Sequence, residues 1–182
     1  MKVLFIYPET YLNVGIPGGI AIMSALLKQR NHQVDLFDTA FLKTKDYNQT
    51  TEDVHGGTGL SDKGGVSVFK KTEYTIEDLV ANDPVVDISE ELQKKIDTFK
   101  PDIIAPSCMT STFDFTCDLL RSVKHNAIVI VGGVHATIAY KDCLQQDVID
   151  YAFVGEADRG ILEFIESLEK NEDPRNTPGL AY

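Results

Sequence analysis

The stretch KVLFIY at Lys2–Tyr7 decides the fold class of this chain. It is a nearly continuous run of apolar, aromatic and β-branched residues, which is typical of a strand that helices cover on both faces. Pro8 ends the run. Strands of this kind belong to parallel sheets, so the sequence predicts an α/β domain that begins with a buried parallel strand.

The rest of the chain alternates between helical and strand patterns. Ile16, Ile20, Met23 and Leu27 recur at the spacing of one helix face, and Asn31 follows as a left-handed cap. Further strands are predicted at residues 33–38, 102–106, 127–131 and 151–154, and further helices after caps at Ser89, Ser111 and Asp158, with a weak helix at 140–145.

Such alternation implies right-handed crossovers onto a parallel sheet. We therefore expect a flavodoxin-like fold, in which five parallel strands in the order 2-1-3-4-5 lie between two layers of helices. In the helix after Ser111, we expect Phe115, Leu119 and Val123 to face the core.

Composition excludes several function classes. The formal net charge is −11, with 17 Lys and Arg against 28 Asp and Glu, and this charge would repel a nucleic-acid backbone. No apolar run approaches the roughly 18–20 residues of a membrane span. The three cysteines, Cys108, Cys117 and Cys143, suit neither a disulfide framework nor a paired zinc site. We expect a cytoplasmic protein without a nucleic-acid or membrane partner.

Two segments fall outside the alternation. Residues 39–88 form an insertion where a crossover loop normally takes about 2–6 residues, and we expect part of it to be a mobile cover or a docking surface. We assign residues 1–170 to one domain that contains this insertion. Residues 171–182 are polar before they turn apolar at 179–182, so we interpret them as a linker that ends in the first strand of a further domain, and the end of the chain as a cut.

In an open parallel sheet, ligands bind outside the carboxyl ends of the strands, where neighbouring crossovers leave on opposite faces. The loops after the first, third, fourth and fifth predicted strands are rich in Gly, Ser and Thr, whose small side chains leave room for a ligand. The sequence therefore predicts a binding site at this edge.

Six segments in fixed order resemble the cobalamin-binding domain that precedes the radical S-adenosylmethionine (SAM) domain in B12-dependent radical SAM proteins. They are KVLFIYPE from Lys2, VDLFD from Val34, PDIIAPSCMTST from Pro101, VGGVHAT from Val131, VGEAD from Val154 and PGLAY from Pro178. Members of this family include anaerobic magnesium-protoporphyrin IX monomethyl ester cyclases and methyltransferases. The resemblance implies cobalamin as cofactor, and a radical SAM domain of the same protein, C-terminal to this chain, as partner. It implies that the [4Fe–4S] cluster and SAM bind in that missing domain.

The resemblance also implies site residues. In related proteins a Ser-x-Leu segment after the third strand lines the channel for the nucleotide tail of cobalamin, and Ser107 and Met109 match it. A Gly-Gly pair after the fourth strand lets the tail lie against bare backbone, and Gly132 and Gly133 match that pair. We expect a bulky residue at Gly133 to block the tail without disturbing the fold. The candidate cofactor-binding residues are Glu9, Thr10, Tyr11, Leu12, Gly15, Ser107, Met109, Thr110, Ser111, Gly132, Gly133, His135, Gly155 and Glu156.

One departure from the His-ligating relatives concerns the cobalt. Those relatives carry Asp-x-His-x-x-Gly after the first strand, whereas residues 9–15 contain no histidine. A similar pattern around His55 has its glycine one residue late, and we interpret it as coincidence. We therefore expect cobalamin that is base-off and histidine-off, with Tyr11 and Leu12 facing the lower side of the metal.

Several alternatives stay open. His135 either contacts the corrin amides or is a hydrogen-bonded surface histidine, and Glu156 either contacts a corrin amide or caps a helix. Cys108 is either a reactive thiol or an inert buried one. Two alternative functions are a module that holds a flavin, with Thr110, Ser111 and Thr112 around its phosphate, and a non-catalytic regulatory domain. The sequence shows neither a nucleophile–base pair nor a metal-ligand cluster, so we predict no catalytic residue or metal ligand. It also contains no Cys-x-x-x-Cys-x-x-Cys motif, so we predict no radical chemistry by this chain alone.

Overall fold

A computed structural model describes residues 1–9, 15, 17–44 and 83–182. Its strands form one sheet in the order β2-β1-β3-β4-β5-β6. The strands are β1 (Lys2–Tyr7), β2 (Gln33–Asp38), β3 (Ile103–Pro106), β4 (Ile128–Val131), β5 (Tyr151–Phe153) and β6 (Leu180–Ala181). The first five are parallel, and their order agrees with the predicted 2-1-3-4-5.

The predicted number of strands is wrong, because β6 adds an antiparallel edge to β5. Gly179 has a φ of +77°, a conformation that glycine adopts without steric cost, and it turns the chain back towards β5. The Val154 N–H then donates to the Gly179 carbonyl at 2.8 Å. Residues 180–181, interpreted as the first strand of a further domain, therefore pair with this sheet instead.

Five helices cover the sheet on both sides. They are α1 (Gly18–Gln29), α2 (Ile88–Phe99), α3 (Phe113–Arg121), α4 (Val134–Cys143) and α5 (Gly160–Glu169). Helices α1 and α5 pack on one face with Val3 and Phe5, and the other three pack on the opposite face with Leu4 and Ile6. All four β1 side chains are at most 1% exposed. The prediction that helices bury KVLFIY on both faces is confirmed.

Three predicted helix starts are wrong. Asp87, rather than Ser89, caps α2, and its carboxylate accepts from the Ser89 and Glu90 N–H groups at 2.9 and 3.2 Å. Asp158 does not cap α5, which begins at Gly160 without a side-chain cap. Ser111 lies inside a 3₁₀ turn, Thr110–Thr112, that precedes α3.

The same turn shifts the buried face of α3. Phe113 is buried and Phe115 is 40% exposed, so the predicted inward position of Phe115 is wrong, whereas Leu119 and Val123 are buried as expected. The left-handed cap at Asn31 is confirmed by its φ of +64°.

The predictions for the insertion fall mostly on residues 45–82, which lie outside the described residues. At its base, a 3₁₀ turn (Thr39–Phe41) follows β2, and the Val86 N–H donates to the Lys43 carbonyl at 2.8 Å.

Among the described residues, none of the helices has the length and apolar character that a bilayer crossing requires.

Candidate functional site

A cavity of about 370 Å³ opens at the carboxyl ends of β1, β3, β4 and β5. Phe5, Ala105, Ile130, Phe153 and Ile161 line it, and all five belong to the apolar cluster between the sheet and helices α1 and α5. The cavity therefore lies at the predicted edge of the sheet, with core side chains as its floor.

The two glycines after β4 have different roles. A Cβ on Gly133, whose φ is +94°, would lie 2.6 Å from the Cys108 carbonyl oxygen and 2.8 Å from the Cys108 nitrogen. A Cβ on Gly132 would meet no atom within 4 Å. Gly133 thus allows the loop to pack against the end of β3, and Gly132 leaves space in the cavity. The expectation that a bulky residue at Gly133 would spare the fold is therefore wrong.

Ser107 lies beside these glycines at the end of β3. It forms an isolated parallel bridge with Gly132, and its N–H donates to the Ile6 carbonyl at 3.0 Å. Ser107 lines the cavity, and no described residue hydrogen-bonds its hydroxyl. A hydroxyl can both donate and accept, so Ser107 brings free hydrogen-bonding capacity to the cavity wall.

Thr137 on α4 ties the loops after β4 and β5 together. Its hydroxyl donates to the Gly133 carbonyl at 3.0 Å and accepts from the Gly155 N–H at 3.1 Å. Gly155, Glu156 and Asp158 continue the cavity lining on the β5 side. The position of this rim therefore depends on a side chain of a neighbouring helix.

His135 is buried next to the cavity and is not one of the residues that line it. The backbone N–H of His135 donates to the Cys108 carbonyl at 3.1 Å, and the ring Nδ1 lies 3.2 Å from the Thr110 hydroxyl. The imidazole stacks on Phe113 with ring centroids 4.1 Å apart. The interpretation of His135 as a surface residue is therefore wrong, and a corrin contact stays a prediction.

Cys108, Cys117 and Cys143 are buried in the core and form no disulfide. Burial raises the pKa of the Cys108 thiol to about 12 and that of Cys143 to about 11. The Cys108 thiol donates to the Thr116 hydroxyl at 3.5 Å. Because the thiolate is the reactive form, these values favour the inert interpretation of Cys108. In the described ranges, no group of three or more His, Cys, Asp or Glu side chains is placed to hold a metal.

The structure brings five of the candidate residues into the cavity lining: Ser107, Gly132, Gly133, Gly155 and Glu156. Met109, Thr110 and Ser111 are exposed near the same edge and do not line it. Glu9 is buried after β1, where its N–H donates to the Thr39 hydroxyl at 2.7 Å. Gly15 lies beside the Tyr7 hydroxyl. Thr10, Tyr11 and Leu12 lie outside the described residues.

Sequence reasoning missed much of the α4 wall. Val134, Thr137 and Ile138 line the cavity, but the weak helix was predicted only from residue 140. Val134 and Ile138 are 62% and 70% exposed, so α4 lacks the core-facing periodicity that the prediction relied on. Their spacing of four directly after Gly133 is the pattern that could have revealed the helix. Met23 on α1 was also missed, whereas Gly19 belongs to the loop predicted at this edge after the first strand.

Comparison with known proteins gives the family of this chain. A family model described as the B12 binding domain matches residues 66–165. The anaerobic magnesium-protoporphyrin IX monomethyl ester cyclase of Cereibacter sphaeroides is 28% identical over 100 residues, which are 51% of this chain and 16% of that protein. The enzyme of the same name from Rubrivivax gelatinosus is 26% identical over 119 residues, 61% of this chain and 21% of that protein. The chain thus spans about a fifth of the length of these curated relatives.

Solved structures show the same fold. The radical SAM methyltransferase TsrM from Kitasatospora setae, with cobalamin and a [4Fe–4S] cluster bound, has a TM-score of 0.67 at 12% identity, covering 98% of this chain and 26% of that one. The cobalamin-dependent SAM radical enzyme OxsB, with aqua-cobalamin and SAM bound, has a TM-score of 0.61 at 15% identity, covering 100% and 20%. Because the family model covers more than half of the chain, the chain belongs to the B12 binding domain family.

Proposed function

We propose that this chain binds cobalamin, with the nucleotide tail in the cavity and the corrin ring over the carboxyl edge of the sheet. One observation carries the proposal: the cavity combines an apolar floor with a Ser107 hydroxyl that has no hydrogen-bond partner in the described part of the chain. A site of this composition holds a largely apolar ligand and orients it with few polar groups.

The described residues fit such a tail. Its lower base is a flat aromatic ring, which suits walls formed by Phe5, Ile130 and Phe153. The Ser107 hydroxyl can hydrogen-bond a polar atom of the tail. Gly132 leaves room beside it, because a Cβ at that position would meet no atom within 4 Å.

The mouth of the cavity fits the corrin ring. The Glu156 and Asp158 carboxylates can accept hydrogen bonds from the amide groups on the ring's edge. Val134 and Ile138 expose apolar surface that a bound cofactor would cover. The described residues therefore offer separate surfaces for the tail and the ring.

The chain's role in this proposal is to hold cobalamin for a radical SAM catalytic domain C-terminal to it in the same protein. When bound, the cofactor supplies a cobalt ion that can exchange methyl groups or electrons. This role is supported by the proteins to which the chain is similar, which include a methyltransferase, a SAM radical enzyme and two cyclases. This chain's residues bind and orient the cofactor, and the cluster and SAM belong to the catalytic domain. The whole protein is then a methyltransferase or cyclase.

The proposal includes a base-off, histidine-off cobalt. It rests on the absence of histidine from residues 9–15 and on His135, whose ring is buried between Thr110 and Phe113. With the tail in the cavity, its base lies among the floor residues and away from the metal.

Titration of the 182-residue chain with hydroxocobalamin tests the proposal. We expect a red, non-fluorescent complex that survives gel filtration and that flavin mononucleotide does not displace. Loss of the colour on gel filtration, or retention of a yellow fluorescent flavin instead, would contradict it.

A further inference from the structure

Among the residues that the structure describes, those that form the cavity floor have no polar side chain. Phe5, Ala105, Ile130, Phe153 and Ile161 form it, and each of them is at most 7% exposed. Met23 adds a half-buried thioether on the α1 side. A group placed on this floor therefore contacts carbon and sulfur atoms of side chains.

The polar groups of the described lining lie on the wall and at the rim above this floor, and several of them are already paired. The Thr137 hydroxyl donates to Gly133 and accepts from Gly155. The Gly132 N–H donates to the Pro106 carbonyl at 2.8 Å. The Ser107 hydroxyl keeps its hydrogen-bonding capacity, and the Glu156 and Asp158 carboxylates lie at the rim.

From this distribution we infer that the chain selects among corrinoids by their lower base, accepting a benzimidazole or phenol base and rejecting a purine base. The inference rests on the proposed function and specifies the ligand of the same cavity. Dimethylbenzimidazole has one free ring nitrogen once it leaves the cobalt, and one hydroxyl, that of Ser107, can satisfy it. Adenine carries several ring nitrogens and an amino group, and most of these would face the apolar floor without a partner.

An unpaired buried polar group costs its full desolvation free energy, so each such group on the base weakens binding. One unsatisfied group predicts roughly tenfold weaker binding of the adenine-based corrinoid, and two predict more. Coordination chemistry acts in the opposite direction, because dimethylbenzimidazole is the better cobalt ligand and its bond is harder to release. Tighter binding of the dimethylbenzimidazole-based corrinoid would therefore be due to the cavity and not to the cobalt–base bond.

The test measures the affinity of the whole chain for four probes by absorption titration: hydroxocobalamin, the adenine-based pseudocobalamin, a cresol-based cobamide and the tailless cobinamide. We expect the benzimidazole and cresol forms to bind at least roughly tenfold more tightly than pseudocobalamin. Cobinamide should bind weakly. Equal affinities for hydroxocobalamin and pseudocobalamin would overturn the selectivity and leave the proposed function intact. Failure of all four probes, or full-strength binding of cobinamide, would overturn the tail assignment itself.

A matched pair of variants at Met23 locates the selectivity. Met23→Gln keeps nearly the same length and adds an amide that can pair with a purine, so pseudocobalamin binding should improve relative to hydroxocobalamin. Met23→Leu keeps the wall apolar and should leave the ratio unchanged. If the ratio of pseudocobalamin affinity to hydroxocobalamin affinity changes equally in both variants, the polarity of the cavity wall does not determine the selectivity.

Discussion

The hydroxyl of Thr137 and the N–H of Gly155 are joined by a hydrogen bond of 3.1 Å, across 18 residues of sequence. The same hydroxyl donates to the Gly133 carbonyl, so one side chain holds the β4 and β5 loops together. These loops form much of the cavity rim.

Thr137→Val removes both hydrogen bonds and keeps the shape of the side chain. We expect hydroxocobalamin affinity to fall about fivefold, since a net hydrogen bond contributes about 1 kcal/mol. Thr137→Ser keeps the hydroxyl and should bind nearly as the wild type does. Isothermal titration calorimetry gives both affinities. If the valine variant binds as tightly as the wild type, the two hydrogen bonds of the Thr137 hydroxyl do not determine the shape of the site.

Gly132→Leu places a side chain in open space beside the cavity. We expect it to abolish hydroxocobalamin binding with little change in the urea midpoint. Gly18→Leu is the matched control, because a Cβ on Gly18 also meets no atom within 4 Å and Gly18 does not line the cavity. Binding that survives in the Gly132 variant would contradict the tail assignment.

Gly133→Ala should lower the stability of the fold. Its Cβ would lie 2.6 Å from a backbone oxygen, and its φ is positive. We expect a loss of about 1–3 kcal/mol in the free energy of unfolding, which urea denaturation measures. A variant as stable as the wild type would show that the loop can move away from Cys108.

Ser107→Ala should separate binding from stability. The hydroxyl has no partner among the described residues, so the free energy of unfolding of the ligand-free chain should change by less than about 0.5 kcal/mol. Hydroxocobalamin should bind about fivefold to tenfold more weakly. If stability falls and affinity does not, Ser107 is a structural residue only.

The buried Cys108 thiol predicts a loss of stability at alkaline pH. Its pKa is raised by burial to about 12 in the folded chain, against about 8.5 for an exposed thiol. Below about pH 8.5 both states hold the proton, and above it only the unfolded state loses it. The free energy of unfolding should therefore fall by up to about 1.4 kcal/mol per pH unit until the folded thiol also ionises.

Urea denaturation between pH 8 and 11 checks this slope. Other groups also titrate there, so the measured quantity is the difference in slope between the wild type and Cys108→Ala. Identical slopes would show that the thiol is not held in its protonated form.

More of the fold than of the candidate site could be predicted from the sequence. The continuous apolar run in KVLFIY predicts a strand that is covered on both faces, because successive strand side chains point to opposite faces, and this pattern is local in sequence. The burial of His135 depends on Phe113, which comes 22 positions earlier, and no local pattern shows that contact. The tie between Thr137 and Gly155 likewise depends on how two crossovers end beside each other. The apolar end of the chain predicts a strand, but its antiparallel pairing with β5 is a long-range contact that no local pattern shows.

The cavity floor consists of the same side chains that hold the sheet to α1 and α5. A larger residue at Ala105 or Ile130 could fill the empty space and strengthen the ligand-free protein, and it would close the site in doing so. Natural selection on such a domain would then discard some stabilising mutations. Sequence drift at the floor is thereby limited by the shape of the molecule that occupies it, as well as by the need to fold.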